Sequence, residues 1–154
     1  MSIEVSNETT TRIDEKEFVE LGRYVFQAMH LHPQTELSIL FIDEPAMEQL
    51  HVQWMDEPGP TDVLSFPMDE LRPGTETDPA TEGLLGDIVI CPTVAATQAA
   101  DTGHSAIEEM LLLATHGMLH LMGYDHAEEE ERHVMFDLQR RLLLTFLASR
   151  ANRA

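Results

Sequence analysis

His116-Gly117-Met118-Leu119-His120-Leu121-Met122-Gly123-Tyr124-Asp125-His126 places three imidazoles at positions i, i+4 and i+10, with a glycine between the second and third. On a helix, residues four apart share a face with Cβ atoms about 6 Å apart, so His116 and His120 can converge on one point. A helix cannot bring residue i+10 to that point, so the chain must turn back. Gly123 supplies the turn, because glycine readily takes the left-handed conformation that ends helices. His126 then returns as a third ligand. Three neutral histidines leave a tetrahedral zinc ion, one per chain, with an open fourth position, which is the catalytic rather than the closed structural arrangement.

The spacing H-x-x-x-H-x-x-G-x-x-H is similar to that of the metzincin proteases, which carry a glutamate directly after the first histidine as general base. Here that position is Gly117. The ligand cage is kept and the protease base is missing, which argues against peptide hydrolysis by that route. A metal with an open site can still acidify a bound water and polarise a phosphoryl oxygen. Phosphodiester cleavage suits it, since three neutral ligands leave the ion its full double charge for an anionic substrate. Either zinc-bound water or a zinc-polarised phosphate is expected to carry the reaction, and the sequence does not decide between them. Asp125, beside His126, either assists by orienting an imidazole or taking a proton, or is a solvated turn residue.

Two further stretches accompany this motif: Pro60-Thr61-Asp62-Val63-Leu64-Ser65-Phe66-Pro67, and Gly86-Asp87-Ile88 leading into Cys91-Pro92. In order and separation the three together resemble the YbeY-type endoribonucleases, the bacterial rRNA maturation factors, from about Ile39 to Leu144. The resemblance implies a metal-dependent nuclease acting on single-stranded RNA, in 16S rRNA 3′-end maturation and ribosome quality control. It implies zinc on His116, His120 and His126, and an RNA cleft lined by Thr61, Asp62 and Ser65, although Thr61 after Pro60 also reads simply as a strand start. Many members of that family carry a Tyr-Arg pair just before the Pro-Thr-Asp motif; here the aligned pair is Trp54-Met55. A guanidinium can clamp a phosphate bidentately and a thioether cannot. Arg23, Arg72, Arg132 and Arg140 are the candidate replacements, and the sequence does not choose among them.

A chain of 154 residues, 43% hydrophobic, can bury one sizeable core. The apolar stretches are too short for a membrane span, and Met1-Ser2-Ile3-Glu4-Val5 does not read as a signal peptide. The single cysteine, Cys91, excludes an intrachain disulfide and fits a reducing cytoplasm. Charge argues against RNA: 9 basic against 28 acidic residues give −19, whereas nucleic-acid binders usually show a basic footprint. Segregation of the acids away from the cleft, the positive field of the metal, or docking of the acidic surface on a basic ribosomal protein of the small subunit would each resolve this. No nucleotide cofactor is implied.

Ile3 to Val5 reads as a short strand. Asp14-Glu15-Lys16-Glu17 reads as a capping box, followed by an amphipathic helix through Phe18, Leu21, Val25 and Met29. Glu36–Ile42 is a strand, and Asp43 with Pro45 opens a second helix to about Trp54. Asp56-Glu57-Pro58-Gly59-Pro60 is a turn, Thr61–Phe66 a strand, and residues 68–83 a mobile acidic loop. Leu84–Ile90 is a strand, Pro92 opens a helix ending at Gly103, and Ser105 with Glu108 caps the metal helix, packed through Met110, Leu111, Leu113 and Ala114. The last helix buries Val134, Leu138, Leu142 and Phe146. The expected fold is α+β: a single domain over residues 1–154, a small mixed four-stranded sheet packed with about five helices, and the zinc site at the end of a buried helix.

Several residues keep two readings. Asp87 either hydrogen-bonds a ligand histidine from behind or serves the strand turn. Phe66 and Trp54 either stack a base or belong to the core. Met135 reads as core, as does Cys91, and the other five histidines show no convergent spacing. The leading function is a zinc-dependent single-strand endoribonuclease. The rivals are a non-catalytic ribosome-assembly factor with a structural metal and a metal-dependent hydrolase of another substrate.

Overall fold

Each strand alternates buried and exposed positions or is apolar enough to lie inside, and each helix carries one apolar row, so the elements stack in layers. The computed structural model describes residues 3–57 and 59–153; Met1, Ser2, Pro58 and Ala154, which include parts of the expected N-terminal segment and turn, lie outside the described residues. The order is β1 (Ile3–Asn7), α1 (Glu15–Ala28), β2 (Glu36–Phe41), α2 (Glu44–Met55), β3 (Val63–Pro67), β4 (Leu84–Ile90), α3 (Pro92–Thr102), α4 (Ala106–Leu121) and α5 (Glu129–Arg153). The four strands form one mixed sheet in the order β1-β2-β4-β3. β1 and β4 both run parallel to β2, and β3 runs antiparallel to β4 at the edge. This is the α+β architecture read from the sequence, with five helices on a four-stranded mixed sheet.

The two faces of the sheet are unequal. One carries the main core, where Ile39, Ile88 and Ile90 meet the apolar rows of α1 and α4 and part of α5. Phe18 of α1 meets Phe41 edge-on, with ring centroids 4.9 Å apart. The other face carries a small cluster of Ile42, Met47, Leu64, Val89 and Cys91 under α2. α4 is buried through Met110, Leu111, Leu113, Ala114, Met118 and Leu119, each large apolar side chain contributing about 1.5–3 kcal/mol.

Three local readings need correction. Asp14 sits at the N-cap of α1 in extended conformation, but its side chain makes no capping bond. Its expected partner Glu17 instead pairs with Arg150 of α5, so the capping box is replaced by a tie between two helices. In α5 the buried row is Met135, Leu142 and Phe146 with Leu138 half-buried, whereas Val134 is 58% exposed. Adjacent helical residues differ by roughly 100°, and the row passes through Met135 rather than its neighbour. Strand β3 starts at Val63 rather than Thr61 and includes Pro67.

Segment 68–83 has no helix or strand, yet it is tied down at several points. Asp69 Oδ2 accepts from Leu84 N at 2.7 Å. Gly74 N donates to Met29 O and Ala80 N to His30 O, and Leu71 and Ala80 pack on the main core.

Candidate metal centre

The site begins with the two ends of α4. At its start, Ser105 Oγ accepts from Glu108 N, and Glu108 Oε1 accepts from Ser105 N, the reciprocal box read from the sequence. The bonds that the Glu108 carboxyl accepts from the Ser105 backbone N and hydroxyl hold it below its ordinary pKa. At its end, Gly123 N donates to His120 O and Tyr124 N to Leu119 O, with Gly123 at φ +98°. This pair of bonds is the Schellman closure that glycine favours, and it reverses the chain toward His126.

His116, His120 and His126 come together as the spacing requires. Each offers one ring nitrogen, and these atoms lie within 4.8 Å of one another. Among the described residues no other group of three or more histidine, cysteine or acidic side chains is so arranged. His116 and His120 are half-buried on α4, and His126 is exposed. Burial lowers the pKa of both helix histidines. For His116 a Gln139 hydrogen bond opposes this, the neighbouring His126 adds to it and Asp62 opposes it. For His120 the two other imidazoles add to burial, while Asp125 and a hydrogen bond at the Tyr124 backbone oppose it. The two rings are therefore held neutral, which is the metal-ligating form. Three converging ring nitrogens, two of them on imidazoles held neutral, beside an open cleft fit zinc.

The histidines line an open cleft of about 590 Å³ together with Asp62, Ser65, Met55, Phe136 and Gln139. Gly117 explains the missing protease glutamate. A Cβ there would lie 3.0 Å from Ile88 Cγ2 and 3.1 Å from Ser65 Oγ. The residue after the first histidine thus presses on the sheet, and a glutamate side chain has no room.

Gln139 was not singled out in the sequence. Its Oε1 lies 2.6 Å from His116 Nδ1, so Nδ1–H donates and Nε2 keeps its lone pair for a metal. Its signal lay in helical phase: Phe136 and Gln139 are three apart and share one face of α5. Phe136 sets its ring beside His116 and His126, with centroids 6.1 and 5.8 Å away.

The remaining candidates divide. Asp62 and Ser65 line the cleft. Thr61 does not, and its hydroxyl donates to Asp62 Oδ1 at 3.2 Å. Asp125 Oδ1 accepts from His126 N at 2.7 Å, which shapes the turn that returns the third ligand. Asp87 and Phe66 are not brought to the histidines. They pair across β3 and β4 and share a second groove with Trp54 on the α2 side of the sheet. Side chains alternate along a strand, so Ser65 and Phe66 necessarily face opposite ways. Trp54, 60% exposed, is not core; it meets Phe66 edge-on at 5.9 Å. Met135 is fully buried, as read.

The comparisons with known proteins agree with this geometry. Residues 3–147 match the family model described as Endoribonuclease YbeY. The chain is 66% identical to the Endoribonuclease YbeY of Beutenbergia cavernae over 97% of its length and all of that protein's. It is 62% identical to that of Leifsonia xyli, over 95% of each chain. The solution structure of TM1509 from Thermotoga maritima has the same fold, with a TM-score of 0.64 at 24% identity over 97% of this chain and 93% of that one. The chain belongs to the YbeY endoribonuclease family.

Proposed function

From that membership we propose that this chain is a zinc-dependent endoribonuclease that cuts single-stranded RNA in 16S rRNA 3′-end maturation and ribosome quality control. The observation that carries the reading is the convergence of three imidazoles on the wall of an open cleft. As an endoribonuclease, the protein acts on RNA phosphodiester bonds.

His116, His120 and His126 would hold the ion. Zinc bound there supplies Lewis acidity toward a phosphoryl oxygen and acidifies a coordinated water. The chain's own residues do the rest. The Gln139 carbonyl oxygen fixes the orientation of the His116 ring. Because Gln139 is neutral, it adds no negative charge beside the ion. The Asp125 oxygen not engaged by His126 N is the proton acceptor nearest to the ligand turn. Ser65 offers a hydroxyl from the β3 wall to a phosphate or sugar oxygen. Phe136 closes one side with an apolar ring against the histidines. The cleft remains open, as a substrate strand passing through it requires.

The proposed setting is the cytoplasm, with the small ribosomal subunit and a basic ribosomal protein as partners. A net charge of −19 favours such a protein surface. No helix among the described residues is long and apolar enough to cross a membrane.

Chelation followed by zinc replacement tests the reading. A labelled single-stranded 16S 3′-end RNA is cut by the zinc-loaded chain, spared after chelation and cut again when zinc returns, while a duplex of the same sequence is spared throughout. Cleavage that survives chelation refutes zinc dependence. A cyclic phosphate product assigns the attack to the RNA 2′-OH, and a simple monophosphate assigns it to water. For the assembly-factor rival, loss of folding together with loss of metal in His116→Ala is the supporting result.

A further inference from the structure

Nine basic residues must serve a chain of net charge −19 that acts on a polyanion. Their positions differ in kind. Arg140 pairs with Asp137 on an exposed stretch of α5, and Arg150 pairs with Glu17. Arg23 lines a pocket with Phe26 and His30, away from the histidines. Arg72 lies against the turn that joins two ligands. A Cβ on Gly123 would fall 2.7 Å from Arg72 Cζ and 2.8 Å from its Nε. The guanidinium therefore rests on the bare backbone between His120 and His126, and any other residue at 123 would displace it.

Arg72 is also held in place while staying open. Its Nη1 donates to Glu70 O at 3.0 Å and Leu71 O at 3.3 Å. Leu71 is anchored in the main core, and the next residues are tied to the end of α1 through Gly74 N and Met29 O. The side chain is exposed, and among the described residues no carboxylate forms an ion pair with it. Nη2 makes no hydrogen bond among the described residues, so its donors are available. A planar cation with spare donors on the turn between His120 and His126 is suited to a phosphate oxygen. Asp62, the one acid lining the cleft among the described residues, repels phosphate, and Met55 brings no charge to the cleft wall.

We propose that Arg72 binds a phosphodiester group of the substrate strand next to the metal centre, so that segment 68–83 serves to deliver this cation to the ligand turn. The proposal rests on the endoribonuclease reading for the identity of the strand. Its physical signature is salt dependence. One phosphate contact on a single strand contributes about 0.7 to the slope of log affinity against log salt.

The test uses the full-length zinc-loaded chain and a labelled single-stranded oligoribonucleotide. kcat/KM is measured from low to high salt for wild type, Arg72→Gln, Arg72→Lys, Arg132→Gln and Arg140→Gln, with equilibrium binding by the metal-free proteins in parallel. Arg72→Gln is expected to lose about tenfold in binding at low salt and about 0.7 from the slope. Arg72→Lys keeps the slope and regains part of the affinity, and Arg140→Gln matches wild type. If Arg72→Gln fails to fold, the affinity of Arg72→Lys decides: a partial loss at unchanged slope supports the proposal, and wild-type binding overturns it. An unchanged slope in Arg72→Gln, or a loss confined to Arg132→Gln, overturns the proposal. An affinity loss without slope loss, accompanied by a lower melting temperature, assigns Arg72 a purely structural role and also overturns it. Wild type that binds RNA with a salt slope yet cuts none would refute the nuclease reading while leaving Arg72 open to the same slope comparison.

Discussion

Helix α4 and segment 68–83 meet at Gly123, and they reach it by opposite means. α4 carries its instructions locally: a reciprocal cap at Ser105 and Glu108, apolar residues almost all round, two histidines one turn apart and a glycine to close the end. Segment 68–83 has no repeating structure and is placed by contacts distant in sequence, Gly74 with Met29, Ala80 with His30 and Arg72 with Gly123. Two of the three clustered histidines thus sit on the part of the chain with the greatest local determination. The cation beside them sits on a part fixed only once the rest has folded.

The strongest way to break that contrast is to disturb α4 where it presses on the sheet. Gly117→Glu forces a charged side chain between Ile88 and Ser65. An unpaired buried charge costs about 3–5 kcal/mol, so the variant should lose cooperative unfolding or accumulate as insoluble chain. A stable, soluble Gly117→Glu would show that α4 is held more loosely than its packing indicates.

Gln139→Leu probes the support rather than the ligand. It removes the acceptor of His116 Nδ1–H, and loss of such a partner weakens metal binding about 10–100-fold. Zinc competition with a chromophoric chelator measures this, and Gln139→Glu, which keeps an acceptor, should restore binding. Equal affinity in all three proteins would remove Gln139 from the site.

Gly123→Ala acts on both regions at once. It strains a residue at φ +98° and pushes the guanidinium of Arg72. A non-glycine residue in such a conformation costs about 1–3 kcal/mol, to be read from urea unfolding, with weaker zinc binding because the turn to His126 shifts.

pH gives the smallest effect. The pKa values of His116 and His120 are lowered below the ordinary 6.5, chiefly by burial. Between the lowered values and 6.5 the unfolded chain holds more protons than the folded one. The metal-free protein should therefore have its full stability above about pH 6.5 and lose it as pH falls through the folded values. Melting temperatures of metal-free wild type and His116→Phe between neutral and mildly acidic pH check this, the variant showing the shallower decline.

The same contrast explains what the sequence could disclose. The ligand triad, the Ser105 cap, the Gly123 turn and the strands were legible because each depends on residues within a few positions of one another. Gln139 was missed because its contact with His116 spans two elements, and helical phase alone does not say which face meets which neighbour. Asp87 and Phe66 kept two readings in the sequence, and strand alternation turns both to the face away from the histidines. Asp14 looked like a capping partner of Glu17 until Arg150, at the far end of the chain, supplied a stronger one. Four arginines looked equivalent, and only the tertiary fold set Arg72 against the ligand turn.

The central claim is that the three imidazoles form a metal centre that cuts RNA. The most direct measurement is cleavage of a labelled single-stranded 16S 3′-end RNA by metal-quantified wild type and His120→Ala, each freed of contaminating nucleases. The account predicts about one zinc per wild-type chain, and in His120→Ala a normally folded protein with zinc lost and cleavage below about one-hundredth. Equal cleavage by the two proteins would contradict it.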